Sequence, residues 1–138
     1  MITLRTSHVG QIFAYARAAD PAECCGLIGG GEEGHAKSVY PLSNVAFNCE
    51  VAYEAAPKEL FASQRQMRER GEQLLAIYHS HPRSRDPTPS DTDVRLAYYP
   101  SAIYFIIGLG GAEPTMRGFR ISEREQRWEQ VEYEIADE

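Results

Sequence analysis

The sequence predicts an α/β or α+β fold for a single domain that spans residues 1–138. Three observations support this prediction. The chain of 138 residues is 43% hydrophobic and 25% charged, which suits one domain with one core. Short apolar runs that are typical of buried strands alternate with segments that have helical periodicity. No internal repeat or long linker divides the chain.

A first helix is predicted from His8 to Ala19, because apolar residues recur there at helical spacing. Ser7 is its predicted cap, and the dipeptide Asp20-Pro21 ends it.

Strands are predicted on both sides of a Gly-rich loop. The apolar run CCGLIGG, residues 24–30, is predicted to be a buried strand, and GGGEEGH, residues 29–35, to be the following loop tip. Residues 35–42 and 49–55 are predicted to be further strands. The loop lacks the Lys-Ser/Thr ending and the following helix of a P-loop, so a phosphate site is not expected.

A second helix is predicted within residues 57–73. Pro57 suits its first turn and Gly71 suits its C-terminal end. The residues expected on its shared face are Leu60, Phe61, Gln64 and Met67. The apolar run over residues 74–81 is predicted to be a strand that Pro82 ends.

The C-terminal half of the chain is predicted to contain one more helix and three strands. The helix begins in the segment SDTDVRLAYY, residues 90–99, and a buried strand follows over residues 101–110. Residues 116–121 and 128–135 are predicted to form an antiparallel pair.

The composition excludes some classes of partner. The formal net charge is -6 at pH 7, which argues against non-specific binding to nucleic acid or to an anionic membrane. The sequence has no apolar run long enough to span a bilayer, and its first residues lack the features of a signal peptide. Cys24 and Cys25 are adjacent and the count of three cysteines is odd, so free thiols in the cytoplasm are expected.

The stretch YHSHPRSRDPTPSDTD, residues 78–93, carries the strongest chemical signal. Residues i and i+2 of a strand point to the same face, so His79 and His81 can direct two imidazoles at one metal ion. A catalytic zinc site takes three protein ligands and a water, and the proline-rich loop can return Asp93 as the third ligand. Ser90 and Asp93 also have the spacing of a capping box, which would fix both on the first turn of a helix.

These residues resemble the signature of the JAMM (MPN+) metallopeptidases, which is an upstream Glu, then His-x-His-Pro, then Ser-x-x-Asp. HSHP, residues 79–82, and PSDTD, residues 89–93, match the last two motifs. PAECCGLIGG, residues 21–30, is similar to the segment that carries the Glu. The likeness extends over about residues 21–109 and is to the short, stand-alone bacterial branch. It implies one JAMM/MPN domain with a mixed central sheet flanked by helices, as in cytidine deaminases.

The resemblance implies roles for five residues. His79, His81 and Asp93 would bind one Zn²⁺, with water in the fourth position. Glu23 would be the general base, and Ser90 would donate a hydrogen bond to the oxyanion of the tetrahedral intermediate.

The loop before the serine departs from the family pattern. Residues 82–89 make this loop one residue longer than is usual for the family. The alternative register, Thr88 to Asp91, shortens the loop but loses the Pro-Ser start. Asp93 is therefore the preferred ligand, and Asp91 is its rival.

The resemblance also implies a reaction, the hydrolysis of the amide or isopeptide bond after the C-terminal Gly-Gly of a ubiquitin-like or sulfur-carrier protein. The identity of that protein and the oligomeric state do not follow from the sequence. The alternative is a non-catalytic MPN-type scaffold that binds a ubiquitin-fold partner. A cysteine hydrolase built on Cys24 or Cys25 is disfavoured, because an apolar strand raises a thiol pKa. His8 and His35 lie outside the motif and are expected at the surface.

Overall fold

A computed structural model describes residues 1–137, in which eight strands and three helices follow one another along the chain. The elements are β1 Ile2–Arg5, α1 Thr6–Ala19, β2 Cys25–Gly30, β3 Ala36–Leu42, α2 Pro57–Glu69, β4 Gln73–His81, α3 Asp91–Arg95, β5 Ile103–Gly108, β6 Thr115–Ser122, β7 Arg127–Val131 and β8 Tyr133–Ala136. The predicted end of the domain, Glu138, lies outside the described residues.

A mixed sheet of six strands forms the centre of the protein, in the order β3-β2-β4-β5-β6-β7. The strands β4 and β5 run parallel, and every other neighbouring pair in this sheet is antiparallel. The strands β1 and β8 form a separate parallel pair. This arrangement confirms the predicted fold class. Among residues 1–137, no helix combines the length and the apolar character that crossing a membrane requires.

Helices cover both faces of the central sheet. One apolar cluster joins α1 to one face, and a second cluster joins α2 and α3 to the other. Successive residues of a strand point to opposite faces, so Phe105 belongs to the first cluster and Ile106 to the second. By the same alternation Tyr78 lies on the α1 side and Ile77 on the side of α2 and α3, which is also the side of His79.

The close approach of β2 to β4 requires a glycine at position 26. A Cβ added to Gly26 would overlap the ring and hydroxyl of Tyr78, which is fully buried. We expect Gly26→Ala to destabilise the protein by about 1–3 kcal/mol, the usual cost of overpacking a core. Urea unfolding measures this change. Gly10→Ala is the matched control, because a Cβ there meets nothing within 4 Å, and equal midpoints for the two variants would contradict the expectation.

The first helix starts earlier than predicted. It begins at Thr6, directly after β1, and its N-cap is Arg5, so the prediction of Ser7 as the cap is wrong. The short strand before it gave no periodic signal, and the start of the helix was therefore placed too late. His8 is buried, not at the surface as predicted, and its Nδ1 accepts a hydrogen bond from the main-chain N–H of Arg5. His35 is exposed, as predicted.

The second helix begins at the predicted proline but ends at Glu69, because Gly71 has a φ of 71°, in the left-handed region where a helix stops. The prediction of its apolar face is partly wrong. Phe61 is 70% exposed, whereas Ser63 and Met67 are the buried residues of this helix. The face that contacts the sheet is rotated away from Phe61, and an apolar side chain on a helix does not by itself mark the buried face.

Two predicted strands also differ from the structure. Residues 49–55 form turns and irregular chain, with one isolated bridge between Asn44 and Ala55. Residues 128–135 are divided between β7, which pairs antiparallel with β6 as predicted, and β8, which pairs parallel with β1. The partner of a strand is set by distant parts of the chain, so local alternation could not identify it.

Candidate metal centre

The strand β4 carries His79 and His81 out of the core. It is buried from Ala76 to Ser80, and His81 lies at its partly exposed end. His79 is paired with Cys25 of β2 on one side and with Ile106 of β5 on the other. Strands on both sides therefore hold the backbone at His79, and the Nε2 atoms of the two imidazoles lie 3.1 Å apart.

The start of α3 brings Asp93 to the two histidines. The main-chain N–H of Asp93 donates to Ser90 Oγ at 3.0 Å, and the main-chain N–H of Ser90 donates to Asp93 Oδ2 at 2.9 Å. This reciprocal pair confirms the predicted capping box. The same Oδ2 lies 3.2 Å from Nε2 of His79 and 3.0 Å from Nε2 of His81. Asp91, the rival ligand, is exposed at the first position of the helix.

The two nitrogens and the carboxylate oxygen have the spacing that a zinc ion requires. Zinc holds imidazole nitrogens and carboxylate oxygens at 2.0–2.2 Å, which places neighbouring ligand atoms of a tetrahedron about 3.3 Å apart. The three atoms in this site are 3.0 to 3.2 Å from one another. Two facing imidazole nitrogens can share only one proton, whereas a cation satisfies both of them. The residues present therefore fit a zinc ion.

Glu23 is the second carboxylate of the site. Atoms of Glu23, His79 and His81 that could bind a metal all lie within 4.8 Å of one another. The main-chain N–H of Cys24 donates to Ser80 Oγ, and the carbonyl of Cys24 accepts the main-chain N–H of Ser80. These two bonds bring the preceding Glu23 beside the histidines. Glu23 is 5% exposed, and within residues 1–137 its Oε1 has no hydrogen-bond partner. An exposed glutamate is the usual case, so its burial was not evident from local sequence.

Burial and the neighbouring charges change the proton affinity of this cluster. Burial raises the pKa of Glu23 to about 7, while the charge of His81 opposes the rise and that of Asp93 adds to it. Burial would also raise the pKa of Asp93, but the charge of His79 and hydrogen bonds from both imidazoles and Ser90 outweigh it and hold that pKa well below its usual range. The pKa of His81 is raised, because Asp93 outweighs the lowering by burial. The pKa values of the two carboxyl groups are thus shifted in opposite directions, that of Glu23 upwards and that of Asp93 downwards.

An aromatic ring covers the buried histidine. The ring of Tyr53 stacks on that of His79, with 4.5 Å between centroids and an angle of 25° between planes. In the described part of the chain, Nδ1 of His79 is buried without a hydrogen-bond partner, so the stack adds to the contacts of Nε2 with Asp93 and His81 in orienting this ring. Sequence patterns do not identify Tyr53, because it lies in the segment wrongly predicted as a strand and no spacing connects it to the histidines.

Two cavities adjoin the site. An open cleft of about 430 Å³ is lined by Glu23, His81 and Ser90, and the ion pair of Glu50 with Arg83 lies at its rim. A second, mainly apolar cavity of about 360 Å³ lies on the other side of Asp93. Its aromatic lining consists of Tyr53, Tyr98, Tyr99 and Tyr104.

The adjacent cysteines lack the features of a nucleophile. Cys24 and Cys25 are both buried and unpaired. Burial raises the pKa of the Cys24 thiol to about 11 and that of Cys25 to about 12. The thiolate is the nucleophilic form, and it is scarce at neutral pH when the pKa is this high. The cysteine hydrolase considered from the sequence therefore has no support.

Comparisons with known proteins connect this site to a family. Residues 5–122, which include every residue of the cluster, match the family described as prokaryotic homologs of the JAB domain. A desampylase of Haloferax volcanii is 38% identical over 106 residues, which are 73% of this chain and 76% of that protein. A CysO-cysteine peptidase of Mycobacterium tuberculosis is 32% identical over 108 residues, which are 78% of this chain and 73% of that protein.

Solved structures agree with the match. A protein of Desulfitobacterium hafniense is 34% identical with a TM-score of 0.88, over 100% of this chain and 94% of that one. A JAB1/MPN domain protein of Archaeoglobus fulgidus is 18% identical with a TM-score of 0.66, over 99% and 98% of the two chains, and shares the fold. The chain thus belongs to the prokaryotic JAB-domain family, a branch of the JAMM/MPN metallopeptidases.

Proposed function

We propose that this protein is a zinc-dependent peptidase that hydrolyses the amide or isopeptide bond after the C-terminal Gly-Gly of a ubiquitin-like or sulfur-carrier protein. The observation that carries the proposal is the convergence of Glu23, His79, His81 and Asp93 beside an open cleft. The names of the relatives support the substrate class, since they include a desampylase, a CysO-cysteine peptidase and a probable TtuB-protein conjugate cleaving protease.

His79, His81 and Asp93 are proposed to hold one Zn²⁺ per chain. When it is bound, zinc supplies a Lewis acid and lowers the pKa of a coordinated water from 15.7 towards about 7. The chain supplies the geometry. The strand β4 holds the two Nε2 atoms 3.1 Å apart, and the N–H of Ser90 holds Asp93 Oδ2 in place. Of the two carboxylates, Asp93 has its oxygen at the spacing of a tetrahedral ligand, which leaves Glu23 for a different role.

Glu23 is proposed to take a proton from the attacking water and pass it to the leaving amine. A cation beside Glu23 favours its carboxylate form before the reaction. Burial raises its pKa to about 7, so the same carboxyl group can also carry the proton at neutral pH until the amine leaves. Its Oε1 has no hydrogen-bond partner within residues 1–137 and is therefore available to accept the proton.

Ser90 is proposed to donate a hydrogen bond to the oxyanion of the tetrahedral intermediate. Its Oγ accepts the N–H of Asp93, so the hydroxyl hydrogen can be donated to an oxygen in the cleft. We expect Ser90→Ala to lower kcat by about 10²–10³-fold, as the loss of one oxyanion donor does. The lost cap should also cost about 1 kcal/mol of stability.

Steady-state rates and thermal unfolding of the zinc-loaded variants separate these two effects of Ser90. Ser90→Thr keeps a hydroxyl and a cap, and it should retain most of the turnover. Equal rates for the alanine and threonine variants would exclude the hydroxyl from the reaction.

The two cavities suit an extended substrate tail. The cleft at Glu23 and Ser90 is open to solvent, so the leaving group can be either a lysine side chain of a large protein or a free amino acid. The aromatic cavity beyond Asp93 suits an apolar side chain upstream of the Gly-Gly. An extended tail can thus place its apolar residue in one cavity and its scissile bond in the other.

The remaining expectations from the sequence belong to the same proposal. We infer that residues 1–138 form one domain that acts in the cytoplasm, without nucleic acid or membrane as a partner. Helices on both faces of the sheet support one domain. The three unpaired cysteines support a reducing compartment, and the net charge of -6 argues against anionic partners.

Cleavage of defined carrier proteins tests the proposed function. The probes are ubiquitin-fold carriers whose Gly-Gly tail is extended by cysteine or joined to a lysine side chain, with products identified by mass. We expect cleavage after Gly-Gly that a chelator abolishes, added zinc restores and iodoacetamide leaves unchanged. Loss of activity with iodoacetamide, or full activity without metal, would overturn the proposal. Carrier binding without any cleavage or zinc would instead indicate a scaffold.

A further inference from the structure

Asn44 lies at the start of the loop that joins β3 to α2, residues 43–56, and its side chain is bonded to three carbonyl oxygens. Its Nδ2 donates to the main-chain oxygens of Glu23 at 3.0 Å, Ala52 at 3.0 Å and Cys49 at 3.3 Å. An amide has two N–H groups, so one of them is shared. The reverse orientation of the amide would face an oxygen towards three carbonyls, and the network therefore fixes the direction of this side chain.

The other end of the same amide closes the loop. Oδ1 of Asn44 accepts the main-chain N–H groups of Ala46 and Glu54, both at 3.0 Å. The main-chain N–H of Val45 also donates to the carbonyl of Glu54 at 2.8 Å. The side chain of Asn44 thus bonds to both ends of the loop, at Ala46 and at Glu54, and joins them to the main chain of Glu23.

The loop holds Glu23 by its backbone. The N–H of Glu23 donates to the carbonyl of Cys49 at 2.7 Å, and the carbonyl of Glu23 accepts Nδ2 of Asn44. Both peptide groups that flank the Glu23 Cα are thereby fixed. Within residues 1–137 the side-chain Oε1 has no hydrogen-bond partner, so these main-chain bonds, with those between Cys24 and Ser80, fix the backbone from which the carboxylate extends.

We propose that Asn44 is a positioning residue for the reaction, because it fixes the backbone of Glu23 and so aims its carboxylate at the metal centre. The inference rests on the proposed function, in which Glu23 is the general base. The three proposed metal ligands lie on β4 and α3, which Asn44 does not contact through these bonds. Loss of the Asn44 amide therefore removes a bond to the base and none to a ligand.

The first test compares Asn44→Ala with Asn48→Ala in the zinc-loaded protein. Asn48 is the matched control, because it is an exposed asparagine of the same loop whose side chain bonds to nothing in residues 1–137. We expect Asn44→Ala to lower kcat about 10–100-fold, as displacement of a catalytic group by about 1 Å does. KM and zinc per chain should stay near the wild-type values. Equal kcat values for the two variants, or loss of zinc in step with kcat, would overturn the inference.

Hydrogen exchange of the Glu23 amide gives a reading that does not depend on activity. In Asn44→Ala this amide should exchange at least about 10-fold faster than in the wild type, with amides of β4 unchanged. Asn44→Asp is the second variant, in case the alanine variant does not fold. It keeps the oxygen that Ala46 and Glu54 bond to and loses the donor to Glu23, so it should show the same change. Wild-type protection of the Glu23 amide in a folded variant would contradict the inference.

A double variant separates this inference from the proposed function. If Asn44 acts through Glu23, Asn44→Ala should lower the residual single-turnover rate of Glu23→Gln less than about 2-fold. A further drop as large as in the wild type would show that Asn44 acts elsewhere, and only the inference would fail. Normal turnover in Glu23→Gln alone would instead remove the general base, and with it the mechanism on which the inference rests.

Discussion

Glu23→Gln is expected to lower turnover by about 10²–10⁴-fold, the usual contribution of a general base, while zinc content stays at the wild-type level. Glutamine has nearly the same shape as glutamate but cannot take up a proton from water. The buried Oε1 has no partner within residues 1–137, so the change breaks no hydrogen bond made by that oxygen. Rates of carrier cleavage and metal analysis of the same samples measure the two quantities.

Glu50→Gln is the matched control for this experiment. Glu50 lines the same cleft but is exposed, and it pairs with Arg83 at its rim. It should keep most of the activity, since exposed ion pairs contribute little. If Glu23→Gln lost its zinc, Glu23 and not Asp93 would be the carboxylate ligand, and the proposed roles of the two residues would have to be exchanged.

Asp93→Asn is expected to weaken zinc binding by more than about 100-fold, because loss of a ligand exceeds the 10–100-fold cost of losing a residue that supports one. The oxygen involved faces both imidazoles at 3.0 and 3.2 Å. An amide oxygen carries no full charge and is a poorer zinc ligand than a carboxylate. Competition of the metal-loaded protein against a zinc chelator of known affinity measures the change.

Asp91→Asn provides the comparison, since Asp91 is only two residues away and is exposed at the first position of α3. Its zinc affinity should equal that of the wild type. Weaker zinc binding in Asp91→Asn than in Asp93→Asn would mean that the loop adopts the alternative register, Thr88 to Asp91, when metal is bound.

The parts of the site that the sequence predicted are those set by local rules. Two histidines one residue apart on a strand share a face wherever the strand lies, and Ser90 with Asp93 forms a capping box through bonds that span three residues. These rules need no knowledge of the remaining fold. The apolar run before His79 was likewise enough to predict a buried strand.

The parts that were missed depend on contacts between distant segments. Glu23 is bonded through its backbone to the loop of residues 43–56, and that loop was predicted to contain a strand. Its shape depends on bonds from Asn44 to carbonyls up to 21 residues away. The stack of Tyr53 on His79 also depends on the shape of this loop, because Tyr53 belongs to it. No periodicity in the sequence encodes such contacts, because irregular loops are held by particular side chains and not by a repeating pattern.

The most direct test of the central claim is a titration of metal-free protein with zinc, followed by the rate of cleavage of a Gly-Gly-extended carrier. The proposed site predicts a rate that rises in proportion to added zinc and stops rising at about one ion per chain. Asp93→Asn should need far more zinc for the same rate. A carrier that binds but is never cleaved, or a rate that does not depend on zinc, would contradict the account of this protein as a zinc peptidase.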